Sequence, residues 1–323
     1  MCLIINRSTA PPFNLALEEY VLTKMDIDII MLWRNEPSVI VGRNQNTMEE
    51  IDIDFVRKND IHVIRRLSGG GAVFHDLGNI NFTVIHKADD DDFSNYSKFT
   101  EPVCSFLQRL GVSASLDGRN DLVIDGAKFS GNAQAVSGGR FMHHGTILFS
   151  TDVSLLSKAL KPNAAKIESK GVKSVRRRVT NVNEHLSFPL TVDEFFDKLT
   201  NFFLEHTDGA YLLTDEDIAS VHQLVKDKYG TWEWNIGHSP LYGYNKLARL
   251  PCGIVDIHLS VTDGVICEAQ IFGDFFGMLE IGGLAALLIG VRHEKESVCD
   301  KLAGIDLNDY ISGITMDQFL SLF

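Results

Sequence analysis

Cysteine is scarce in this chain and poorly placed for cross-linking. Its five cysteines stand at positions 2, 104, 252, 267 and 299, with no CxxC pair. An odd count at wide spacing argues against a disulfide scaffold and against a cysteine zinc site, and fits reduced thiols in a cytoplasm. Each reads as an inert thiol. Cys104 lies in EPVCSFLQRL, an amphipathic helix pattern and a poor setting for a nucleophile. Long apolar runs are missing as well. None reaches about 18 residues, so no membrane span is expected. The opening MCLIINRSTAPPF has a short apolar stretch and no basic start, unlike a signal peptide. Positive charge is in deficit: the net charge is −13, which argues against a general electrostatic grip on nucleic acid. The usual phosphate loops are absent too. There is no GxxxxGK[ST], and the glycines do not form GxGxxG ahead of a helix, which disfavours P-loop kinases and Rossmann dehydrogenases. HExxH is also lacking, so zinc is not expected.

What is present is a well-patterned globular chain. With 323 residues and 45% hydrophobic content, it can bury a sizeable core and divide into two domains. After Pro11 and Pro12, Phe13, Ala16, Leu17, Tyr20 and Val21 recur at helical spacing. IIMLW (29–33) and SVIVG (38–42) read as strands separated by a turn around Asn35 and Pro37. IHVI (61–64) and NINFTVI (80–86) bracket a glycine cluster as strands, and a helix is expected over 95–110. DLVID, KFSGNAQAV and MHHGTILFS read as three further strands. Thr191 with Glu194, Thr214 with Asp217, and Thr315 with Gln318 mark helix starts of the capping-box type. WNIGHSPLYGYNKLARLPCG has no clear period and reads as a linker, and a hairpin turning at Asp263-Gly264 follows it. The fold class expected is α+β, with a large domain over 1–240 and a small α+β accessory domain over 241–323.

Three clusters carry candidate chemistry. The first is RRLSGGGAVFHD, Arg65 to Asp76. Glycines permit close backbone approach, successive N–H groups can cradle an anion, and a guanidinium suits phosphate or carboxylate. Strand alternation points Arg65 and Arg66 to opposite sides, so only one need enter a site. A glycine-rich hairpin with solvated arginines accounts for the same letters. The second is GRNDLVIDGAKFSGNAQ, where Lys128 follows a turn at Asp125-Gly126. Lys128 is either a site cation or an exposed hairpin lysine. Asp121 is either a magnesium ligand, alongside phosphate oxygens, or a turn residue. The third is GGRFMHHGTILFS. Adjacent His143 and His144 on a strand face opposite sides, so they do not form a two-ligand metal site. Separately, KIESKGVKSVRRR (166–178) holds six basic residues and one acid, and reads as a loop that closes over a ligand or meets an acidic partner, or else as a plain solvated loop.

In this order, RRLSGGGAVFHDLGN, DGAKFSGNAQ and HHGTILF resemble the lipoate–protein ligase A family, with NLALEEY, LWRNEPSVIVGRNQN and SVRRRVTNV in support. The resemblance covers roughly residues 1–235 and reaches weakly into the tail. It implies a mixed-sheet, biotin/lipoate ligase-like catalytic domain with an accessory domain that moves between half-reactions. It implies activation of lipoate by ATP to lipoyl-AMP with release of pyrophosphate. Transfer would follow to a lysine of lipoyl carrier domains: the E2 subunits of 2-oxoacid dehydrogenases and glycine-cleavage H protein. By the same resemblance Arg66, Ser68, Gly71, Ala72, Val73, Phe74 and Asn79 meet the nucleotide. Lys128 contacts both the lipoate carbonyl and the α-phosphate. Trp33, Gly70 and His144 enclose the lipoyl group, and Asp121 helps place Mg²⁺. A cytoplasmic enzyme is implied. The rival within the superfamily is an ATP-independent lipoyl or octanoyl transferase working through a cysteine thioester.

Overall fold

The computed structural model describes residues 1–45, 47–160, 179–236, 243–262, 265–293 and 295–323. Among the described residues thirteen strands are formed: β1 (Cys2–Ile5), β2 (Ile29–Trp33), β3 (Ser38–Val41), β4 (His62–Arg65), β5 (Val73–His75), β6 (Asn79–Lys87), β7 (Ala114–Asp117), β8 (Asp121–Ile124), β9 (Ala127–Ser137), β10 (Arg140–Leu148), β11 (Tyr244–Leu250), β12 (Gly253–Thr262) and β13 (Val265–Gly273). The largest sheet has the order β1-β2-β6-β10-β9-β8-β7. It is mixed: β1 and β2 run parallel, while β6 and β10 pair antiparallel from Asn79↔Leu148 to Lys87↔Arg140. A second sheet, β4-β3-β5, carries the glycine cluster between two of its strands. IIMLW and SVIVG are therefore both strands, yet they belong to different sheets.

Alternation along the strands divides the core into two layers. On β2, Ile30 and Leu32 face one layer; Ile29, Met31 and Trp33 face the other. The helices Tyr96–Arg109 and Val192–Leu204 cover the first layer with Phe99, Val103, Phe106, Phe195, Leu199 and Phe202. The helix Pro11–Lys24 covers the second with Leu15, Leu17, Val21 and Leu22. Its proline start supplies pre-set φ where a free N–H has no helical partner anyway. The three capping boxes, at Thr191/Glu194, Thr214/Asp217 and Thr315/Gln318, all form as the sequence indicates. The turn before Lys128 forms with both Asp125 (φ 51) and Gly126 (φ 77) left-handed, the conformation of a two-residue hairpin turn.

The C-terminal segment has its own sheet, β11-β12-β13, and its own core of Val255, Ile257, Leu259, Ile271, Leu284, Leu302 and Phe319. The hairpin tip at 263–264 and the junction 237–242 lie outside the described residues. The same holds for the basic stretch 166–178. Among the described residues no helix is long and apolar enough to cross a membrane.

Candidate active site

The two arginines of the glycine cluster do different work. Arg65 is fully buried and donates to the carbonyls of Gly42, Arg43, Gln45 and Trp234 and to the Thr47 hydroxyl. It ties the β3–β4 corner to the segment around Trp234. Arg66 points the other way, as strand alternation requires. Its guanidinium donates to the carbonyls of Ile40, Gly69 and Gly71 and, through Nε, to Ser68 Oγ at 3.0 Å. Burial lowers both guanidinium pKa values to about 10, so both stay charged near neutral pH. An Arg65→Met variant is expected to lose about 3 kcal/mol or more of stability, because several buried acceptors lose their donor together. A shifted urea midpoint with an unchanged slope is the readout.

Between the helix Pro11–Lys24, β5, β6, β9 and β10 lies a cavity of about 170 Å³. Its wall includes Trp33, Arg66, Gly70, Gly71, Ala72, Val73, Lys128 and His144. Eight residues singled out from four separate stretches of sequence thus meet around one space. Ser68 is off the wall but bridges two of its members: its Oγ accepts from Arg66 and lies 2.6 Å from His144 Nε2. Phe74 and Asn79 are off the wall as well. The Phe74 side chain packs away from the cavity, among Val39, Val41 and Val56. Its strand β5 lies at the edge of its sheet, so alternate residues there direct their backbone groups away from β3. Asn79 is fully buried and donates to Asn81, which does reach the wall.

Lys128 projects from β9 with its ammonium 2.7 Å from Asp121 on β8. A Cβ on Gly131 would lie 3.0 Å from that ammonium, so glycine leaves room for the lysine to lie across its own strand. Asp121 is thus a partner of Lys128. Among the described residues, no group of three His, Cys, Asp or Glu side chains could hold a metal ion. A single carboxylate suits Mg²⁺ that arrives with phosphate oxygens, and does not suit an all-protein cage.

The histidine pair divides as the alternation indicates. His143 packs in the first layer, its ring 5.1 Å from that of Phe99. His144 turns to the cavity side and meets Glu18 at 2.9 Å. Burial holds His75 at about 3 and His143 well below the ordinary 6.5. Both therefore stay neutral in the folded protein but take up protons once unfolded. Stability should fall as pH drops below about 6.5, by up to about 1.4 kcal/mol per pH unit for each histidine. Melting curves at about pH 7 and about pH 5 check this, and His143→Gln should lose less between them than the wild type.

Several wall residues were given no role from sequence: His75, Asn120, Asn132 and Thr146, which stand inside the quoted clusters, and Asn81 and Phe276, which stand outside them. Thr146 shares His144's face of β10, so period two could have found it. Phe276 could not have been found, since it comes from the C-terminal segment. That segment docks on the glycine cluster: Gly70 N–H donates to Phe275 O at 3.4 Å, and Arg119 lies over the Phe276 ring at 4.2 Å.

Comparison with known proteins places this geometry. Residues 10–204 match the lipoyl protein ligase A/B catalytic domain, and 239–323 match the bacterial lipoate protein ligase C-terminus. The lipoate-protein ligase LplJ of Bacillus subtilis (strain 168) is 45% identical over 97% of this chain and 96% of its own. Lipoate–protein ligase 1 of Staphylococcus aureus (strain Mu50) is 42% identical over 98% of both. Among solved structures, a lipoate-protein ligase A bound with ATP aligns with a TM-score of 0.63 at 31% identity, over 73% of this chain and 98% of that one. P. falciparum LipL1 in complex with lipoate shares the fold, with a TM-score of 0.79 at 24% identity over 99% of this chain and 98% of that one. These relatives define an enzyme of the ligase class, and the solved structures a biotin/lipoate ligase-like α+β fold. The chain belongs to the lipoate–protein ligase family.

Proposed function

We propose that the protein joins lipoate to carrier proteins through an acyl-adenylate. The observation that carries this is a single cavity walled by Lys128, Arg66, the glycines and the Trp33–His144 pair. In the first step a lipoate carboxylate oxygen attacks the α-phosphorus of ATP. The new P–O bond forms as the bond to the β-phosphate breaks, and pyrophosphate leaves. Two anions must meet for this, and at about 4 Å they repel by about 4 kcal/mol at an effective dielectric near 20. The Lys128 ammonium offsets that repulsion and stabilises charge growing on the α-phosphate. In the second step a carrier lysine amine attacks the acyl carbon, AMP leaves, and Lys128 polarises the carbonyl. No enzyme nucleophile is needed.

The remaining assignments follow the same division. Arg66 shapes the nucleotide cradle with Ser68, Gly71, Ala72 and Val73, while free backbone groups near Phe74 take the adenine, with Asn79 beside them, and Gly70 stands with the lipoyl group. Trp33 and His144 enclose the lipoyl chain, which a closed pocket favours by about 0.8 kcal/mol per buried CH₂. Asp121, beside Lys128, would help to hold Mg²⁺. The ion would supply charge neutralisation on the phosphates. The buried, unpartnered His75 Nε2 and Asn81 Nδ2 on the wall give a ligand two further polar atoms to satisfy. The catalytic unit is assigned to 1–240 and the accessory unit to 241–323. The carriers inferred are the E2 lipoyl domains of 2-oxoacid dehydrogenases and glycine-cleavage H protein, with the cytoplasm as the site of action. An archaeal relative in this fold has been solved as a bipartite lipoate protein ligase with its E2 lipoyl domain.

The ATP-independent transferase reading requires a reactive cysteine at the site. Among the described residues no cysteine lines the cavity. Burial raises the Cys104 thiol to about 11, which opposes thiolate formation. The separating experiment is lipoate-dependent exchange between ATP and pyrophosphate. The ligase catalyses it without any carrier; a transferase gives none. Transfer to an acidic carrier should also weaken with added salt, through the basic stretch 166–178. Salt-indifferent transfer would remove that stretch from carrier recognition.

A further inference from the structure

Beneath the cavity wall lies a buried carboxylate that the reaction does not use. Glu18, on the helix Pro11–Lys24, is 1% exposed and takes no place on the wall itself. Two chains of hydrogen-bond donors end on it. In the first, the Arg66 Nε–H donates to Ser68 Oγ, whose own proton finds its acceptor among the described residues in His144 Nε2 at 2.6 Å. With Nε2 accepting, His144 carries its proton on Nδ1 and donates it to Glu18 Oε1 at 2.9 Å. In the second, Trp33 Nε1–H donates to Thr83 Oγ1 at 3.0 Å, and the Thr83 hydroxyl donates to the same Oε1 at 2.6 Å. One oxygen therefore fixes the tautomer and ring plane of His144 and, through Thr83, the plane of the Trp33 indole. Both residues line the cavity. Arg66 does not depend on the chain, because the carbonyls of Ile40, Gly69 and Gly71 hold it separately.

We propose that Glu18 is a positioning residue for the lipoate half of the site, acting through His144 and Trp33 and leaving the nucleotide half untouched. This rests on the adenylate reading above. The physical reason is that, without the carboxylate, the His144 Nδ1–H and the Thr83 hydroxyl that orients Trp33 lose their buried acceptor, and either group then turns to seek another partner and carries its ring out of place.

The test is the exchange reaction with lipoate and ATP varied independently. Glu18→Ala should raise the KM for lipoate about tenfold or more, as expected for buried donors left unpaired. The KM for ATP should stay within about twofold, a change too small to signal a lost interaction. Glu18→Gln keeps an acceptor oxygen and should restore lipoate KM to near the wild-type value. Thr83→Val cuts only the Trp33 branch and should give an intermediate rise in lipoate KM, and it carries the test if Glu18→Ala does not fold. A wild type without lipoate-dependent exchange overturns the adenylate reading and this role with it. An active wild type whose Glu18→Ala or Thr83→Val variant keeps its lipoate KM, or raises both KM values together, overturns the positioning role alone.

Discussion

Lys128→Ala should reduce lipoate-dependent exchange by about 10²–10³-fold or more while the circular dichroism spectrum and melting temperature stay at wild-type values. The large loss is expected because, in the proposed mechanism, this ammonium screens the approach of the carboxylate to the α-phosphate, which is the step that the exchange reports. The fold should survive because the lysine's ion pair with Asp121 is half-exposed, and such pairs contribute little to stability. Its strand is held by backbone pairing with β8 and by a bond from Thr180 N–H to the Lys128 carbonyl, neither of which needs the side chain. Lys128→Arg should not rescue, since a planar fork cannot reproduce a compact ammonium resting over Gly131. A Lys128→Ala enzyme that keeps most of its exchange activity would leave the cavity without its central cation.

Gly70→Val should abolish ATP binding. Gly70 has φ +92, a conformation that a β-branched residue adopts only with strain. A Cβ there would lie 2.9 Å from the Arg66 guanidinium and 3.5 Å from the Phe276 ring. The substitution therefore disturbs the cradle, its cation and the contact with the C-terminal segment together. Isothermal titration with ATP is the readout, and undiminished affinity would show that the nucleotide does not approach this loop. Gly69 offers a contrasting case. Its Cβ would lie 2.4 Å from the Phe275 carbonyl, so Gly69→Ala should act through the docking of the C-terminal segment.

The secondary structure was legible because its signals are local. The capping boxes, the Asp125-Gly126 turn and the alternation that separates His143 from His144 each depend on neighbours within a few residues. Arg65 and Arg66 were separable for the same reason: adjacent strand residues point apart. The cavity was legible only through the joint occurrence of three motifs, since nothing local brings Lys128 on β9 to the glycine cluster between β4 and β5. Three features stayed hidden for one physical reason. Glu18 reads as a helix-surface acid until β6 and β10 close over it. Phe276 reaches the wall across more than two hundred residues of chain. Which acceptors Arg65 would satisfy depends on the segment around Trp234. Each is decided by tertiary packing between elements remote in sequence, which periodicity does not record.

The most direct test of the central claim is a single-turnover incubation of the protein with ATP, Mg²⁺ and lipoate, first without and then with a lipoyl carrier domain. The account predicts one equivalent of lipoyl-AMP and of pyrophosphate before the carrier is added. The adenylate should then disappear as lipoyl-lysine and AMP form. Lipoyl-lysine formed without ATP, or ATP consumed with no adenylate detectable at any time, would contradict it.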